Sequence, residues 1–181
     1  MASINFRKSL LLMLKSEGGF QKDKRDTGNS GDGHGNQGST NFGVTAKVWA
    51  AYTKKPAPIE VMQGLSHDLV APLYKTEYWD KCKCSSITLS GVDFYVFDIA
   101  VNSGVSRASK MLQKIISVKE DGIIGIKTLE KLNSQDAKEI IHKLYAAREA
   151  FYKKAKGFQH YGKGWLKRNS DCKKHALEML N

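Results

Sequence analysis

The feature of this sequence that most constrains its fold is an abrupt change from a helical pattern to a polar, glycine-rich segment. Apolar residues recur at helical spacing from about residue 5 to residue 16, and Glu17 continues the same helix face. Gly18 and Gly19 then end the pattern, as glycines do at the ends of helices. Residues 21–43 contain almost no hydrophobic side chain, and their Gly, Asn, Asp and Ser residues are typical of turns and of a short hairpin. The sequence therefore places a glutamate where a helix meets a polar loop.

Helical patterns dominate the rest of the chain, so the predicted fold class is mainly α with one small β-hairpin near the polar loop. Ser66 is the predicted N-cap of a helix that reaches Trp79, with a kink at Pro72. Ser134 is the predicted cap of a long helix whose apolar face reaches Ala155. Three further helices are expected near residues 92–101, 108–115 and 127–132.

The length and charge of the chain bound its architecture and its partners. With 181 residues, of which 41% are hydrophobic, the chain can bury one core, or one core and a small second lobe. Lys and Arg total 29 against 18 Asp and Glu, which gives a net charge of +11 and predicts binding to polyanions. Nucleic acids, anionic membrane surfaces and bacterial envelopes all meet that description. The sequence contains no recognised nucleic-acid motif, so we expect no nucleic-acid partner.

We expect neither a disulfide scaffold nor a metal or organic cofactor. The three cysteines are an odd number, and Cys82 and Cys84 are too close in sequence for an ordinary bridge. The five histidines are scattered singly, without the paired spacing of zinc ligands. Lys15 interrupts the apolar run at residues 10–14, so the sequence predicts no signal peptide, no membrane span and synthesis in the cytosol.

Glu17 is the strongest candidate for a catalytic acid. Cleavage of a glycosidic bond needs a carboxylic acid that is still protonated near neutral pH, because this group must protonate the leaving oxygen. Burial on an apolar helix face and the negative end of the helix dipole both favour the protonated form of a carboxyl group at this position. The alternative interpretation is a solvent-exposed glutamate in the last turn of a surface helix.

The polar loop supplies candidates for the second role in such a reaction, which is to position water or to stabilise positive charge. Asp26 follows Glu17 by nine residues, a spacing that suits two carboxylates facing each other across a cleft. Thr40 could hold the attacking water through its hydroxyl group. Asp32 competes with Asp26 for this role, and an aspartate in such a loop is equally typical of an Asx-turn.

Four blocks of sequence resemble, in order along the chain, the glycoside hydrolase 108 muramidases, a family that contains phage endolysins and bacterial secretion activators. The first two blocks surround the candidates named above. The third lies in a predicted central helix, and the fourth resembles the peptidoglycan-binding-like C-terminal part of the family. Gly164, Trp165 and Arg168 match the usual ending. The blocks are Glu17-Gly18-Gly19-Phe20 with Asp26, Gly38-Ser39-Thr40-Asn41-Phe42-Gly43-Val44-Thr45, Phe97-Asp98-Ile99-Ala100-Val101-Asn102-Ser103-Gly104 and Asp121-Gly122-Ile123-Ile124-Gly125-Ile126-Lys127-Thr128.

The resemblance implies a lysozyme-like fold and hydrolysis of the β-1,4 bond between N-acetylmuramic acid and N-acetylglucosamine in peptidoglycan. It also implies that Glu17 is the catalytic acid, and Asp26 keeps an interval from Glu17 that is also seen in phage lysozymes. Thr40 departs from the pattern because it lies fourteen residues after Asp26, and residues 29–37 look like an insertion in the catalytic loop. Asp32 could therefore take the place assigned to Asp26, or the insertion could form a longer lip over the substrate.

The sequence leaves the stereochemical course of the reaction open. If Asp26 acts through a water molecule, its carboxyl group should lie roughly 6.5–9.5 Å from that of Glu17, and the product should be inverted. A separation of about 5 Å would instead favour retention.

A second group of residues is predicted to bind the substrate. Asp98 and Asn102 lie one helical turn apart and could form hydrogen bonds to N-acetyl groups, although such pairs also satisfy buried backbone and cap helices. Aromatic rings could stack on the apolar faces of sugars, although core packing is their usual role. Arg148 interrupts an apolar helix face, where we expect it to extend to the surface or to pair with a buried carboxylate. The aromatic candidates are Tyr78, Trp79, Tyr161 and Trp165.

The predicted architecture has an N-terminal catalytic muramidase lobe at residues 1–92 and a helical C-terminal subdomain at residues 93–181, with the cleft between them. The expected partners are peptidoglycan glycan strands and an anionic envelope surface, and the expected state is a monomer. The resemblance predicts a phage endolysin that is made in the host cytoplasm, reaches the periplasm or cell wall through a holin-type lesion, and lyses the host. A lytic transglycosylase and a non-catalytic peptidoglycan-binding module remain as alternatives.

Overall fold

The structure is a computed structural model that describes residues 2–180. Within that range the chain is mainly helical with one two-stranded sheet, which confirms the predicted fold class. Most helices occur where apolar residues recur at helical spacing in the sequence. They are α1 (Ala2–Leu14), α2 (Ala46–Thr53), α3 (Ile59–Gln63), α4 (His67–Tyr74), α5 (Val92–Ser103), α6 (Val105–Ile115), α7 (Ile126–Asn133), α8 (Ala137–Lys153) and α9 (Phe158–Glu178), with short 3₁₀-helices at Thr27–Asn29 and Cys84–Ser86.

The polar loop contains the predicted hairpin. Strands β1 (Thr40–Asn41) and β2 (Val44–Thr45) pair antiparallel, with the first residue of each strand opposite the last residue of the other. Gln21 extends this small sheet by a bridge to Thr40, in which each backbone N–H donates to the carbonyl of the other residue at 2.8 Å. The start of the polar loop is thereby fixed beside β1.

The chain divides into two compact units. The small unit comprises Leu10–Tyr74, and the large unit comprises the residues before Leu10 and those from Lys75 onward. This division lies upstream of the boundary predicted between residues 92 and 93. The segment after Tyr74 belongs to the large unit because Trp79 is fully buried there against Phe97, with ring centroids 5.5 Å apart. The functional division at residue 92 stays a prediction.

The helix predicted after Ser66 changes its type along its length. The Ser66 hydroxyl accepts the N–H of Leu69 at 3.3 Å, as expected of an N-cap residue. The α-helix then gives way at Tyr74 to a π-helix, Lys75–Trp79. Pro72 lies within α4 and cannot donate a backbone hydrogen bond, which weakens the α-helical pattern just before this change.

The small unit has its own core, to which the hairpin is attached. The side-chain amide of Asn41 donates to the carbonyl of Met62 at 2.8 Å, so β1 is fixed to the end of α3 by a buried hydrogen bond. Apolar side chains from the end of α1, from β2 and from α2 to α4 fill the rest. The buried apolar residues are Leu10, Met13, Leu14, Val44, Ala46, Trp49, Ala50, Ala57, Met62, Leu65, Val70, Leu73 and Tyr74.

Helix α5 is the central element of the large unit. All its residues from Val92 to Ala100 are buried, and α6, α8 and α9 pack against it. Asn169 of α9 is fully buried, accepts a hydrogen bond from the Tyr95 hydroxyl at 2.8 Å and donates to the Tyr145 carbonyl at 3.0 Å. This satisfied amide therefore links α9 to both α5 and α8.

Sequence patterns missed one long helix and misplaced one cap. Helix α9 was not predicted, since Gly162 and Gly164 near its start lower the helix propensity of that segment. Its burial against α5 and α8 provides the stability that propensity alone does not. The cap predicted at Ser134 is wrong, because the side chain of Asp136 accepts the N–H of Glu139 at 2.8 Å and caps α8.

A buried ion triad links α5, α8 and α9. One oxygen of Asp98 lies 2.7 Å from Nη1 of Arg148, and the other accepts a hydrogen bond from Nη2 of Arg168 at 2.9 Å. Burial raises the pKa of Asp98, but the two guanidinium groups lower it by more. The net pKa of Asp98 is therefore below that of an ordinary aspartate, and the carboxylate stays ionised. Of the two roles expected for Arg148, pairing with a buried carboxylate is the one observed.

We predict that Asp98→Asn destabilises the protein by about 3–5 kcal/mol at neutral pH, since it leaves two arginines without their carboxylate. Because the folded-state pKa of Asp98 is lowered, its contribution is present above about pH 4, the usual pKa of aspartate, and disappears as the pH falls further. Urea unfolding from pH 7 to pH 2.5 measures both effects. Asp171→Asn, at an exposed pair with Lys167, is the control and should cost at most about 1 kcal/mol. Equal losses for the two variants would show that the triad does not stabilise the fold.

Candidate active site

Glu17 lies at the end of the turn that extends α1. The N–H of Ser16 donates to the Met13 carbonyl at 2.9 Å and the N–H of Glu17 donates to the Leu14 carbonyl at 3.1 Å, so the chain keeps turning beyond the helix. Met13 and Leu14 are buried, and Glu17 is half-buried next to them in sequence. The carboxyl group is therefore carried by a well-packed helix end and is still accessible to solvent.

The turn of the hairpin contacts this carboxyl group. Phe42 and Gly43 both have positive φ, 49° and 75°, as in the two-residue turns that fit the twist of a hairpin. A Cβ atom on Gly43 would lie 2.7 Å from Oε2 of Glu17 and 2.9 Å from the hydroxyl oxygen of Tyr74. The Tyr74 hydroxyl donates to the Phe42 carbonyl at 2.7 Å and so holds the turn in place. Glu17, Gly43 and Tyr74 therefore meet at one point in the small unit.

Tyr74 was not among the predicted site residues. Its position on the apolar face of α4 indicated only a core residue, and the distance in sequence from Phe42 gave no signal of contact. A buried tyrosine does need a partner for its hydroxyl group, but that requirement does not say which carbonyl the tyrosine reaches.

Asp26 and Thr40, predicted as catalytic partners, belong to one chain of hydrogen-bonded side chains. The amide nitrogen of Gln21 donates to Oδ2 of Asp26 at 2.7 Å. The amide nitrogen of Asn29 donates to the side-chain oxygen of Gln21 at 2.6 Å, and the Thr40 hydroxyl donates to Oδ1 of Asn29 at 2.8 Å. Gln21 and Asn29 were not predicted, and nothing in the sequence distinguishes them from other polar residues of the loop. These hydrogen bonds fix the orientations of the Asp26 and Thr40 side chains.

Asp26 also has a structural role, that of a turn-forming aspartate, which the sequence offers as the alternative to catalysis. It is exposed, and its Oδ1 accepts the N–H of Gly28 at 2.8 Å as the N-cap of the 3₁₀-helix Thr27–Asn29. Each carboxylate oxygen thus accepts one hydrogen bond from the protein. Because an oxygen of a carboxylate can accept two, each one can still accept a hydrogen bond from a water molecule.

Asp32, the competing candidate, is in a different situation. It is buried, and its two oxygens accept four hydrogen bonds: Oδ1 from the N–H groups of His34 and Asn36, and Oδ2 from the Asn36 amide and the N–H of Ala57. The Asn36 side chain and the backbone donors hold the pKa of Asp32 well below its usual range. All lone-pair positions are occupied, so Asp32 fixes the fold of residues 32–36 against Ala57.

Two predicted substrate-binding residues are wrong. Trp79 is fully buried, packs edge-on against Phe6 and Phe97, and donates its ring N–H to Ser85 at 2.8 Å. Asp98 is 2% exposed and both its oxygens face arginines. Neither side chain can touch a sugar, because core packing and ion pairing use the surfaces that a ligand would need.

Asn102 and Trp165 do lie on a common surface. Together with Arg107, Phe151 and Tyr152 they line a cleft of about 270 Å³ in the large unit. Contact of these two residues with substrate stays a prediction, as it does for the half-buried Tyr78.

Comparisons with known proteins identify the family of this chain. A model of the family described as Glycosyl hydrolase 108 matches residues 10–104, just over half of the chain, and a model described as Predicted Peptidoglycan domain matches residues 107–170. The chain is similar to the solved structure of SagA from Brucella abortus, with 32% sequence identity and a TM-score of 0.81 over 97% of this chain and 95% of that one. A comparison with curated protein sequences found no match.

The helical fold and these matches define a glycoside hydrolase that acts on peptidoglycan. More specifically, the chain belongs to the glycosyl hydrolase 108 family, as the sequence blocks around Glu17 and Thr40 indicated. The region from Glu17 to Tyr74, which contains the candidate catalytic residues, lies inside the family match, and Trp165 lies inside the peptidoglycan-domain match.

Within residues 2–180, no helix combines the length and hydropathy needed to cross a membrane. The His, Cys, Asp and Glu side chains in the described part of the chain form no group of three or more that could hold a metal ion. Cys82, Cys84 and Cys172 are free thiols, and all three are buried.

We predict that Gly43→Ala lowers the rate of peptidoglycan cleavage by about 10- to 100-fold, because its methyl group would displace the carboxyl of Glu17 and misplacement by 1 Å is enough for such a loss. Gly33→Ala is the matched control, since Gly33 also has positive φ, at 83°, but open space around the added atom. Dye release from labelled cell wall and thermal melting measure activity and folding. If both variants keep the same activity, the contact between Gly43 and Glu17 does not matter for the reaction.

The two loop aspartates should respond differently to the same substitution. Asp32→Asn should lower the melting temperature, because an amide cannot accept all four hydrogen bonds, while activity per folded molecule stays within a fewfold of wild type. Asp26→Asn should instead lower activity by about 10²–10⁴-fold, the usual effect of losing a general base, with a small change in melting temperature. The reverse pattern would assign the second catalytic carboxylate to Asp32.

Proposed function

We propose that this protein is an endolysin-type N-acetylmuramidase that hydrolyses the β-1,4 bond between N-acetylmuramic acid and N-acetylglucosamine, with Glu17 as the general acid. The observation that carries the proposal is the position of the Glu17 carboxyl, half-buried at a helix end and in contact with the Gly43 turn. This arrangement lies within the residues that match the glycoside hydrolase family.

In the proposed reaction, Glu17 protonates the glycosidic oxygen as the muramic acid ring gains oxocarbenium character. A proton donor in this role must keep its position while charge develops. The packing of the α1 end and the turn held by the hydroxyl of Tyr74 both restrict movement of the Glu17 carboxyl. This restriction supports the role of Glu17 because a general acid works only within hydrogen-bonding reach of its target.

Asp26 and Thr40 are proposed to position the attacking water. The Thr40 hydroxyl gives its hydrogen to Asn29, so its oxygen can only accept a hydrogen bond from a further partner such as water. Asp26 keeps accepting capacity on both oxygens and can take a proton from that water. A water that donates to both groups would present its lone pair to C1 of the muramic acid, and the product would then be inverted.

The proposed setting is lysis of a bacterial host by a bacteriophage. The resemblance to phage endolysins supports synthesis in the host cytoplasm and release to the periplasm or cell wall through a holin-type lesion. The net charge of +11 supports attraction to an anionic envelope, and with it an antimicrobial effect of the added protein. A monomer suffices for this role, since the candidate catalytic residues all belong to one compact unit.

The test is clearance of outer-membrane-stripped Gram-negative cell wall by wild type and by Glu17→Gln, followed by mass analysis of the released fragments. We expect Glu17→Gln to lose at least about 100-fold in rate while it melts at the same temperature, because it removes only the transferable proton. Glu60→Gln, an exposed glutamate on α3, is the matched control and should keep full activity.

The products distinguish the remaining alternatives. Hydrated, reducing muramic acid ends are expected from a muramidase, and the anomer formed reports inversion or retention. 1,6-Anhydro ends, with one water fewer per cut, would assign the protein to the lytic transglycosylases. Binding to cell wall without clearance by either protein would contradict catalysis and leave a binding module.

A further inference from the structure

The cleft in the large unit offers a ligand an unusually one-sided set of polar groups. Beside it lies a second hollow of about 310 Å³ that shares Arg107 with the cleft and also includes Lys110. Among the described residues that line the two hollows, none is acidic. No carboxylate in this lining offsets the charges of Arg107 and Lys110, so the combined surface is positively charged.

The orientation of Asn102 at the edge of this cleft follows from a fixed sequence of donors and acceptors. Arg148 donates from Nε to the hydroxyl oxygen of Tyr152 at 2.7 Å, and an arginine can only donate. The Tyr152 hydroxyl must then give its own hydrogen to Oδ1 of Asn102, which is 2.6 Å away. Because the carbonyl end of the Asn102 amide is occupied in this way, its NH₂ group is the end left for a ligand.

Arg107 is held in a defined position in the same cleft. Its guanidinium group lies 4.7 Å from the ring centroid of Phe151, and one of its nitrogens donates to the Ser103 carbonyl at 3.0 Å. An arginine has five N–H donors, so most of them stay available. Lys110 follows one helical turn later on α6 and adds a second cation on that side.

The other walls of the cleft are aromatic. The rings of Tyr152 and Trp165 lie 5.4 Å apart at an angle of 33°, and Phe151 lies beneath Arg107. The cleft thus combines apolar ring surfaces with hydrogen-bond donors and positive charge. A matching ligand has a carboxylate next to a short apolar group.

Peptidoglycan contains such groups in its peptide part rather than in its glycan part. In a muramic acid that carries a stem peptide, the lactyl carboxyl group forms an amide bond, so the acetylated sugars there are uncharged. The stem peptide, by contrast, carries free carboxylates beside alanine methyl groups. We propose that this cleft and the hollow beside it together bind a carboxylate of the peptidoglycan stem peptide, through Asn102 in the cleft, Arg107 in both and Lys110 in the hollow, with the adjoining methyl group against the aromatic rings of the cleft. The inference rests on peptidoglycan as the substrate but does not depend on catalysis by Glu17.

The experiment measures binding of the soluble tetrapeptide L-Ala-γ-D-Glu-meso-diaminopimelate-D-Ala to the full chain carrying Glu17→Gln, by calorimetry and by NMR of side-chain amides. We expect saturable binding that shifts the Asn102 amide signals. Arg107→Gln should weaken binding at least about tenfold, the usual effect of losing a hydrogen bond to a charged group. Lys114→Gln, an exposed lysine on the same helix outside the lining, is the control for loss of one charge.

Asn102→Asp provides a sharper test because it replaces only the NH₂ group by an oxygen and keeps the size and shape of the side chain. Its carboxylate can still accept from Tyr152, so folding is preserved, but its second oxygen would repel the ligand where the NH₂ group attracted it. We expect the peptide affinity to fall at least about tenfold, with an unchanged melting temperature.

Two outcomes would overturn the inference. One is equal affinity for the peptide and for its fully amidated form, or equal affinity of all variants, because the cleft would then not recognise a carboxylate. The other is chitotetraose, an uncharged glycan, binding with the same sensitivity to Arg107→Gln and Asn102→Asp, because the cleft would then be a sugar subsite. Cleavage that survives Glu17→Gln would contradict the proposed function and leave this binding result unaffected.

Discussion

Asp98 keeps a negative charge in the interior of the large unit, and the arrangement of three helices depends on how that charge is compensated. Arg148 from α8 and Arg168 from α9 both approach its carboxylate, so these helices must pack where the two guanidinium groups reach the same point of α5. Arg148 also donates a hydrogen bond to the Tyr152 hydroxyl, which in turn orients the Asn102 amide. A charge that is expensive to bury without partners thereby determines the orientation of a donor at the surface.

The small unit uses a carboxylate in a comparable way. Asp32 accepts four hydrogen bonds and joins one part of the polar loop to Ala57, so a segment with few apolar side chains still has a defined shape. Asp26 is exposed and keeps accepting capacity on both oxygens. Asp98, Asp32 and Asp26 therefore differ in their capacity to bind a further group, because their neighbours occupy the carboxylate lone pairs of the first two and leave some of those of Asp26 free.

The two compact units offer different chemistry. The small unit presents two carboxyl groups and a hydroxyl, which are kinds of group that glycoside hydrolases use. The large unit presents donors, cations and aromatic rings, which suit recognition of an acidic and partly apolar ligand. The two family matches divide the chain in a similar order along the sequence, with glycoside hydrolase first and peptidoglycan domain second. Cleavage of cell wall therefore tests the small unit, and binding of the stem peptide tests the large unit.

The sequence by itself determined the fold class, the hairpin in the polar loop, the family and the place of Glu17 at a helix end, because these depend on local periodicity, turn residues and short motifs. It did not show that Asp32 is buried while Asp26 is exposed, exclude Trp79 and Asp98 from the substrate surface, or reveal Tyr74, Gln21 and α9. Those features depend on contacts between residues far apart in the chain, such as Tyr74 with Phe42 and Asp98 with Arg168. Only the tertiary structure decides them, since burial and the filling of hydrogen-bonding positions are set by neighbours that a local pattern does not specify.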